Sequence, residues 1–457
     1  MTTPFSYEDA LAAIWKRSGY DRGFISNPFA GDDAARSGLL RTAGVLERLG
    51  NPERDYRIVH IAGSKGKGST TVTVDALLRA AGHRTGRFIS PHLHSYRERI
   101  VVQDRPISEE DFAALTADAL AATEALEHDA PELGDVTAWE LSTAMALCWY
   151  ARAGCEIAVI EVGMGGTLDA TNVVDPEIAI ITRLDYEHSA VLGDTLTEIA
   201  GNKAGIIKPG KPVVTTDQPA EALAVIEARA RETGSRLILA GRDFTVTGTD
   251  LDFTFTSGSE SISGLHTALA GRHQVENTAL AIAAVRTITD ISADQIRQGL
   301  AAVVHPGRFE EVRIDAGRTV VIDGAHSPVA ARALVRALQD RYPGQQAAFV
   351  IGMLQDKDVS SFTATLEPLA AHWYLAPPAS PRALATETLI PILAGSSTPV
   401  DSAPSVADSL AAAMAAPHPL IVVTGSLTTV ADARVALGLA RNDPAPGTSP
   451  RVSYPAG

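Results

Sequence analysis

Short apolar runs bounded by glycine alternate along this chain with stretches of helical periodicity. The run RIVHIA at 57–62 ends at Gly63 and leads into a helical stretch at 69–81 that Gly82 closes. EIAVIE at 156–161 and EIAIIT at 177–182 have the same character, and each is followed by a loop. Strands that are apolar at nearly every position are buried on both faces, and strands separated by helices lie parallel. The pattern predicts an α/β fold with a mostly parallel sheet. From about 244 to 264 polar and apolar residues alternate (FTVTGTDLDFTFTS), which predicts a small antiparallel excursion. A second series opens after His305-Pro306-Gly307, with strands at 319–323, 347–352, 372–376 and 420–424. A helix at 328–341 carries proline in its first turn, where proline is tolerated. The expected division is a domain over 1–304, a smaller second domain over 305–440, and a Pro/Gly/Ser-rich, disordered tail over 441–457. No internal repeat is visible.

Length agrees with two domains, since 457 residues exceed one ordinary core. The 39 Lys and Arg against 54 Asp and Glu leave a net charge of −15, which argues against nucleic acid as a main partner. A small anionic ligand is still compatible, because a few local cations override the global field. Cys148 and Cys155 form no redox or metal motif and read as small buried hydrophobes. The opening MTTPFSYEDALAAIW lacks the basic and apolar regions of a signal peptide, and no apolar run is long enough to span a bilayer. The cytoplasm is the expected location, without a membrane partner. No heptad or other association signal is visible, so a monomer is expected.

Candidate chemistry begins where the first strand ends. Gly63, Ser64, Lys65, Gly66, Lys67, Gly68, Ser69 and Thr70 form a glycine-rich turn between a strand and a helix. Such a turn lets backbone N–H groups curl around an anion, and the helix N-terminus adds a positive dipole. Lys67 can reach the β- and γ-phosphates of a nucleotide, and Ser69 can ligate magnesium. The spacing is shorter than in the common phosphate loop, and Gly68 separates Lys67 from Ser69. A tight turn is the competing reading, and the strand-before, helix-after context favours the phosphate loop.

Glu161 ends the second apolar strand, where open α/β sheets bind ligands, and can share a metal with Ser69. The alternative is a carboxylate that caps the glycine turn after it. His188 and Lys203 lie beyond the third strand. Neither is singled out by spacing alone, since magnesium prefers oxygen and a lysine near a helix end is usually solvated. Arg97-Glu98-Arg99 reads equally as a solvated charge cluster or a substrate loop, and the tryptophans Trp15, Trp139, Trp149 and Trp373 read as packing.

Taken together, HIAGSKGKGST (60–70), SPHLHSYRERI (90–100), EVGMGGTLDATNVV (161–174), EHSAVLGDTLTEIAGNKAGIIKPG (187–210), LAGRHQVENTALAIAA (269–284), HPGRFE (305–310), DGAHSPVA (323–330), GMLQDKD (352–358) and VTGSL (423–427) resemble the folylpolyglutamate synthase/dihydrofolate synthase family, within the Mur ligases. The resemblance implies an N-terminal Mur-ligase-type P-loop ATP-binding domain, a smaller, Rossmann-like C-terminal glutamate-ligase domain and an active site between them. It implies an ATP-dependent ligase of folate biosynthesis and one-carbon metabolism that joins L-glutamate to a pteroate or folate carboxylate through an acyl phosphate. By position, Ser69, Glu161 and His188 match magnesium ligands, and Lys203 matches a lysine that the family carbamylates, for two magnesium ions in all. Asn277 and Arg308 match nucleotide contacts. Asp323, His326 and Ser426 match positions tied to ATP and glutamate, Ser90 a substrate contact, and Asp169 and Ala170 positions near the pterin. Lys67, Lys203, Asp323 and His326 are the implied catalytic set.

The chain departs from the family pattern at Thr167 (for Arg), Glu187 (for Asp), Asn202 (for Glu) and Ser327 (for Asn), and carries Lys65 as a known variant. Thr167 is expected to remove a bidentate partner from the acceptor pocket. These departures leave two other readings open: a ligase of the same fold that acts on a non-folate acid, and a non-catalytic nucleotide-binding protein.

Overall fold

A computed structural model describes residues 5–18, 32–186, 189–315, 317–393, 395 and 397–443. Its first sheet has eight strands, β1 (Arg57–Ala62), β2 (Thr85–Phe88), β3 (Ile100–Val102), β4 (Arg105–Pro106), β5 (Ile157–Glu161), β6 (Ile178–Ile181), β7 (Val213–Thr215) and β8 (Leu237–Leu239). They lie in the order β4-β3-β2-β5-β1-β6-β7-β8. Six run parallel, and only β3 and β4, at one edge, are antiparallel. The central strands β1, β5 and β6 are buried along nearly their whole length, as their unbroken apolar runs require.

The alternating segment forms a meander of β9 (Phe244–Thr249), β10 (Asp252–Ser257) and β11 (Glu260–Leu265). Its alternate residues Phe253, Phe255 and Ile262 pack into the core on one face of the first sheet. A third sheet comprises β12 (Glu310–Arg313), β13 (Thr319–Ile322), β14 (Ala347–Ile351), β15 (Ala370–Leu375), β16 (Val400–Ser402) and β17 (Leu420–Thr424) in the order β12-β13-β17-β14-β15-β16. It is parallel except for β12. Trp373 is fully buried here and stacks on Phe349 at 5.2 Å, a packing residue as its pattern predicts.

The helices of the N-terminal part include α1 (Tyr7–Lys16), α2 (Asp32–Arg48) and α3 (Lys67–Ala80), the last beginning directly after the glycine-rich turn. Beyond the final helix, Leu427–Ala436, the chain returns to the first sheet's side of the molecule. Here the structure corrects the expectation of a disordered tail, at least for its beginning. Asp443 accepts hydrogen bonds from the Tyr7 hydroxyl (2.8 Å) and the Tyr96 N–H (2.7 Å), and its own N–H donates to the His94 carbonyl (2.9 Å). Asn442 Oδ1 lies 2.9 Å from His94 Nδ1, and Arg434 Nε lies 3.1 Å from His94 Nε2. Composition reads as disorder because it averages over side chains, whereas two residues suffice to hold an irregular segment in place. Residues 444–457 lie outside the described residues.

Candidate active site

The carboxyl ends of β5, β1 and β6 are adjacent, since Ile61 pairs with Glu161 and Ala62 with Ile181. The connections leaving β1 and β5 run to opposite sides of the sheet, so this edge is a topological switch point. The glycine-rich turn, Glu161 and the loop after β6 therefore converge.

The turn is tightly built. A Cβ on Gly63 would lie 1.8 Å from Thr182 Oγ1, and one on Gly66 2.3 Å from Asn277 Oδ1. Gly66 also has φ +88°, in the left-handed region that glycine tolerates. The N–H groups of Ser64 and Lys65 both donate to the Arg183 carbonyl (3.1 and 3.0 Å), and Ser64 Oγ donates to the Asp185 carbonyl (2.9 Å). These groups hold the loop to its neighbour and do not face an anion. The groups free to meet one are the N–H donors of Lys67, Gly68 and Ser69 in the first turn of α3, which no intrahelical acceptor reaches. Thr70 is fully buried, and its hydroxyl has no partner among the described residues.

Two lysines meet at one carbonyl. Lys67 Nζ donates to the Gly63 oxygen at 2.9 Å and Lys203 Nζ donates to the same oxygen at 2.8 Å. Lys203 is buried, with 1% exposure, at the end of the helix Leu196–Ala204. Glu161 is also buried and accepts from the Ser90 N–H at 3.2 Å. Burial pushes its carboxyl up to about 7, against the pull of Lys67, the Ser90 N–H and Arg308. A serine hydroxyl and a carboxylate flanked by a lysine are oxygen donors of the kind a hard divalent cation takes, so this pair fits magnesium. His188 and Glu187 lie outside the described residues.

Asp169 is saturated by donors: Thr171 N–H (3.0 Å) and Oγ1 (2.5 Å), Met164 N–H (3.1 Å) and Trp139 Nε1 (3.2 Å). Burial raises its carboxyl and these bonds lower it, with a net rise. Ala170 is buried beside it. Trp139 does more than pack: its ring lies 5.2 Å from Phe88 while its indole N–H reaches Asp169. Nothing in the sequence separates this tryptophan from the others, because the contact spans 30 residues.

The residues after 304 approach from the other sheet. Arg308 packs against Gly324, where a Cβ would lie 2.5 Å from Nη1. Its charge acts on Glu161, His305 and His326 alike, so it stands between the two halves. His326 Nδ1 lies 2.8 Å from the Gly324 carbonyl, which fixes the proton on that nitrogen and leaves Nε2 as the acceptor. Burial, with Lys357, Arg308 and Lys65 nearby, lowers its pKa, so the ring is neutral at physiological pH. Asp323 accepts from the Phe309 and Ala325 N–H groups, both at 2.9 Å, and thereby shapes the turn before β12. Ser426 is buried and its hydroxyl caps the helix Leu427–Ala436 through the Thr429 N–H (3.0 Å). Its visible role is to present that helix N-terminus.

His305 was not singled out by the sequence, yet its ring lies against Gly68 and its Nδ1 is 3.5 Å from Ser69 Oγ. Burial and two arginines, Arg308 and Arg87, hold its pKa well below the usual value. The departures also find places. Thr167 is exposed and both its N–H (2.8 Å) and its hydroxyl (2.7 Å) donate to the Asn202 carbonyl, so the side chain is turned to the Lys203 helix end. Ser327 caps the helix Pro328–Arg341, a role serine and asparagine share. Glu98 accepts the N–H groups of Leu93, His94 and Ser95, which makes the Arg97-Glu98-Arg99 cluster a loop organiser.

Residues 61–285 match the Mur ligase middle domain and residues 307–427 the Mur ligase, glutamate ligase domain. The folylpolyglutamate synthase of Lacticaseibacillus casei is 36% identical over 355 residues, covering 75% of this chain and 82% of that protein. The dihydrofolate synthase/folylpolyglutamate synthase of Bacillus subtilis (strain 168) is 32% identical over 412 residues, covering 87% and 94%. This chain belongs to the folylpolyglutamate synthase/dihydrofolate synthase family of the Mur ligase superfamily. Among solved structures, Mycobacterium tuberculosis folylpolyglutamate synthase complexed with ADP superposes with a TM-score of 0.84 at 31% identity, covering 95% of this chain and 99% of that one. The two-domain α/β architecture read from the apolar pattern is thus the family's own.

Proposed function

We propose that this protein is an ATP-dependent ligase that joins L-glutamate to a pteroate or folate carboxylate, acting as dihydrofolate synthase, folylpolyglutamate synthase or both. The observation that carries the reading is the convergence of the phosphate turn, Glu161 and Lys203 from one sheet with Arg308 and His326 from the other. We assign domains to 1–304 and 305–440, a cytoplasmic location, a monomeric state and no nucleic-acid partner, in keeping with the net charge of −15.

A carboxylate is a poor electrophile, so its oxygen first attacks the γ-phosphorus of ATP and ADP leaves, giving an acyl phosphate. The first turn of α3 holds the phosphates, and Lys67 leaves the Gly63 carbonyl to meet the negative charge that builds on the transferring group. Asn277, against Gly66, and Arg308 complete the nucleotide site. Glutamate then loses a proton from its ammonium group, and the neutral His326 Nε2 is the base placed for that step. The nitrogen attacks the acyl carbon, and phosphate is expelled from the tetrahedral intermediate as the amide forms. Asp169, Ala170, Trp139 and Ser90 line the acceptor side, and Asp323 and the helix following Ser426 the glutamate side.

Ser69 and Glu161 would hold one magnesium ion, and His188 with a carbamylated Lys203 a second. Bound magnesium would neutralise phosphate charge. Carbamylation of Lys203 has a local rationale, because two ammonium groups on one carbonyl repel each other and a carbamate removes one of them.

The test is phosphate release from Mg-ATP and L-glutamate, with dihydropteroate, tetrahydrofolate and its glutamates as acceptors and the amide identified by mass. Turnover with at least one pteridine acid is expected, and Lys203→Ala should lower it by roughly 100-fold or more. Turnover confined to an unrelated aryl acid would replace the folate reading with that of another acceptor.

A further inference from the structure

Gly68 is the residue that sets this turn apart from the common phosphate loop, and the structure gives it a use. A Cβ there would lie 3.1 Å from His305 Cε1 and 3.4 Å from its Nε2, so the absence of a side chain lets the imidazole rest on the first turn of α3. That seat brings His305 Nδ1 to 3.5 Å from Ser69 Oγ.

A serine hydroxyl has one proton and two lone pairs. Within a helix it usually gives the proton to the carbonyl four residues back, as Thr73 does to Ser69 in this same helix (2.8 Å). Ser69 is the third residue of α3, and the residue four places back, Lys65, precedes the N-cap Gly66, so the helix offers its hydroxyl proton no such acceptor. An acceptor in front of the first turn draws the proton outward and leaves the lone pairs to a cation. His305, in the tautomer that carries its proton on Nε2, supplies that acceptor from the segment that joins the two sheets. The same segment is clamped on its far side. The Gly307 carbonyl accepts from the Gly324 N–H (2.9 Å), and the Phe309 N–H donates to Asp323 (2.9 Å). A Cβ on Gly307 would lie 2.5 Å from Val430.

We propose that His305 is a positioning residue: its Nδ1 orients the Ser69 hydroxyl for magnesium and ties occupation of that metal to the linker between the domains. The inference rests on the reading of Ser69 as a magnesium ligand.

The experiment measures ADP affinity of the full chain by calorimetry across a magnesium titration, without acceptor or turnover. His305→Phe keeps a ring over Gly68 and removes the acceptor. His305→Asn keeps an acceptor oxygen near the place of Nδ1. The magnesium concentration needed for half-maximal enhancement should rise roughly 10-fold or more in His305→Phe and stay within about 3-fold of wild type in His305→Asn. ADP affinity without magnesium should be the same in all three. In a Ser69→Ala background, His305→Phe should have no further effect. If the phenylalanine variant does not fold, His305→Ala takes its place. Unchanged magnesium dependence in His305→Phe, or equal loss in the Phe and Asn variants, would overturn the role of His305 alone. Wild-type ADP affinity that ignores magnesium would overturn the metal reading of Ser69, and this role with it.

Discussion

Glu161 shows how a single buried side chain makes a pH-dependent prediction. The fold holds its carboxyl at about 7 against an ordinary value of 4.5, so the folded protein prefers the neutral form. The stability this contributes is complete below about 4.5 and is lost as pH rises through about 7. Glu161→Gln fixes the neutral form. In magnesium-free buffer the variant should therefore exceed wild type in stability above pH 7, by at most about 3 kcal/mol, and the two should converge towards pH 4.5. Denaturant melts across that range check this, and a gap that does not change with pH counts against it. In the presence of ADP, adding magnesium should stabilise wild type further and leave the variant nearly unmoved. Lys67 and Ser69 were legible in the sequence because each sits at a fixed offset from the first strand and its glycine turn, whereas Lys203 was legible only through the family resemblance. His305 and Trp139 were not, because their contacts with Ser69 and Asp169 span 236 and 30 residues and depend on how separate segments pack. Thr167 was legible as a departure, and only the structure shows its hydroxyl on the Asn202 carbonyl.

Among elements, the phosphate turn is the one most tightly fitted to its surroundings. Gly66→Ala would set a Cβ against Asn277 at 2.3 Å in a backbone conformation unfavourable to alanine. The variant should lose about 1–3 kcal/mol of stability and most of its ADP affinity, read by thermal melts and calorimetry. Asn277→Gly in the same chain should recover part of the stability, because the collision partner is then gone, and no recovery would place the cost in the backbone alone. Central strands were read correctly because burial on both faces writes an unbroken apolar run. The edge strands β4, β12 and β16 carried no such signal: Arg105–Pro106 is wholly exposed, and Glu310–Arg313 and Val400–Ser402 contain no fully buried residue. A strand held by one neighbour and wet on a face has little apolar content to reveal it.

For the molecule as a whole, the return of Asn442 to His94 and of Asp443 to Tyr7 in α1 is a contact between segments far apart in the sequence. Cutting the chain after Arg441 removes the bonds to Tyr7, Tyr96 and His94 and should cost about 1–3 kcal/mol. Nucleotide affinity should be nearly unchanged, since none of these partners belongs to the phosphate turn. A truncated chain as stable as the full one would show that the return adds nothing. The Tyr7–Asp443 bond joins residues 436 positions apart. During synthesis α1 leaves the ribosome 436 residues ahead of this partner, and contacts of such separation form late. Until Asp443 arrives, the Tyr7 hydroxyl has only Ser95 Oγ, 3.3 Å away, so this corner of the fold is completed only after the last strand of the third sheet, Leu420–Thr424, has been made.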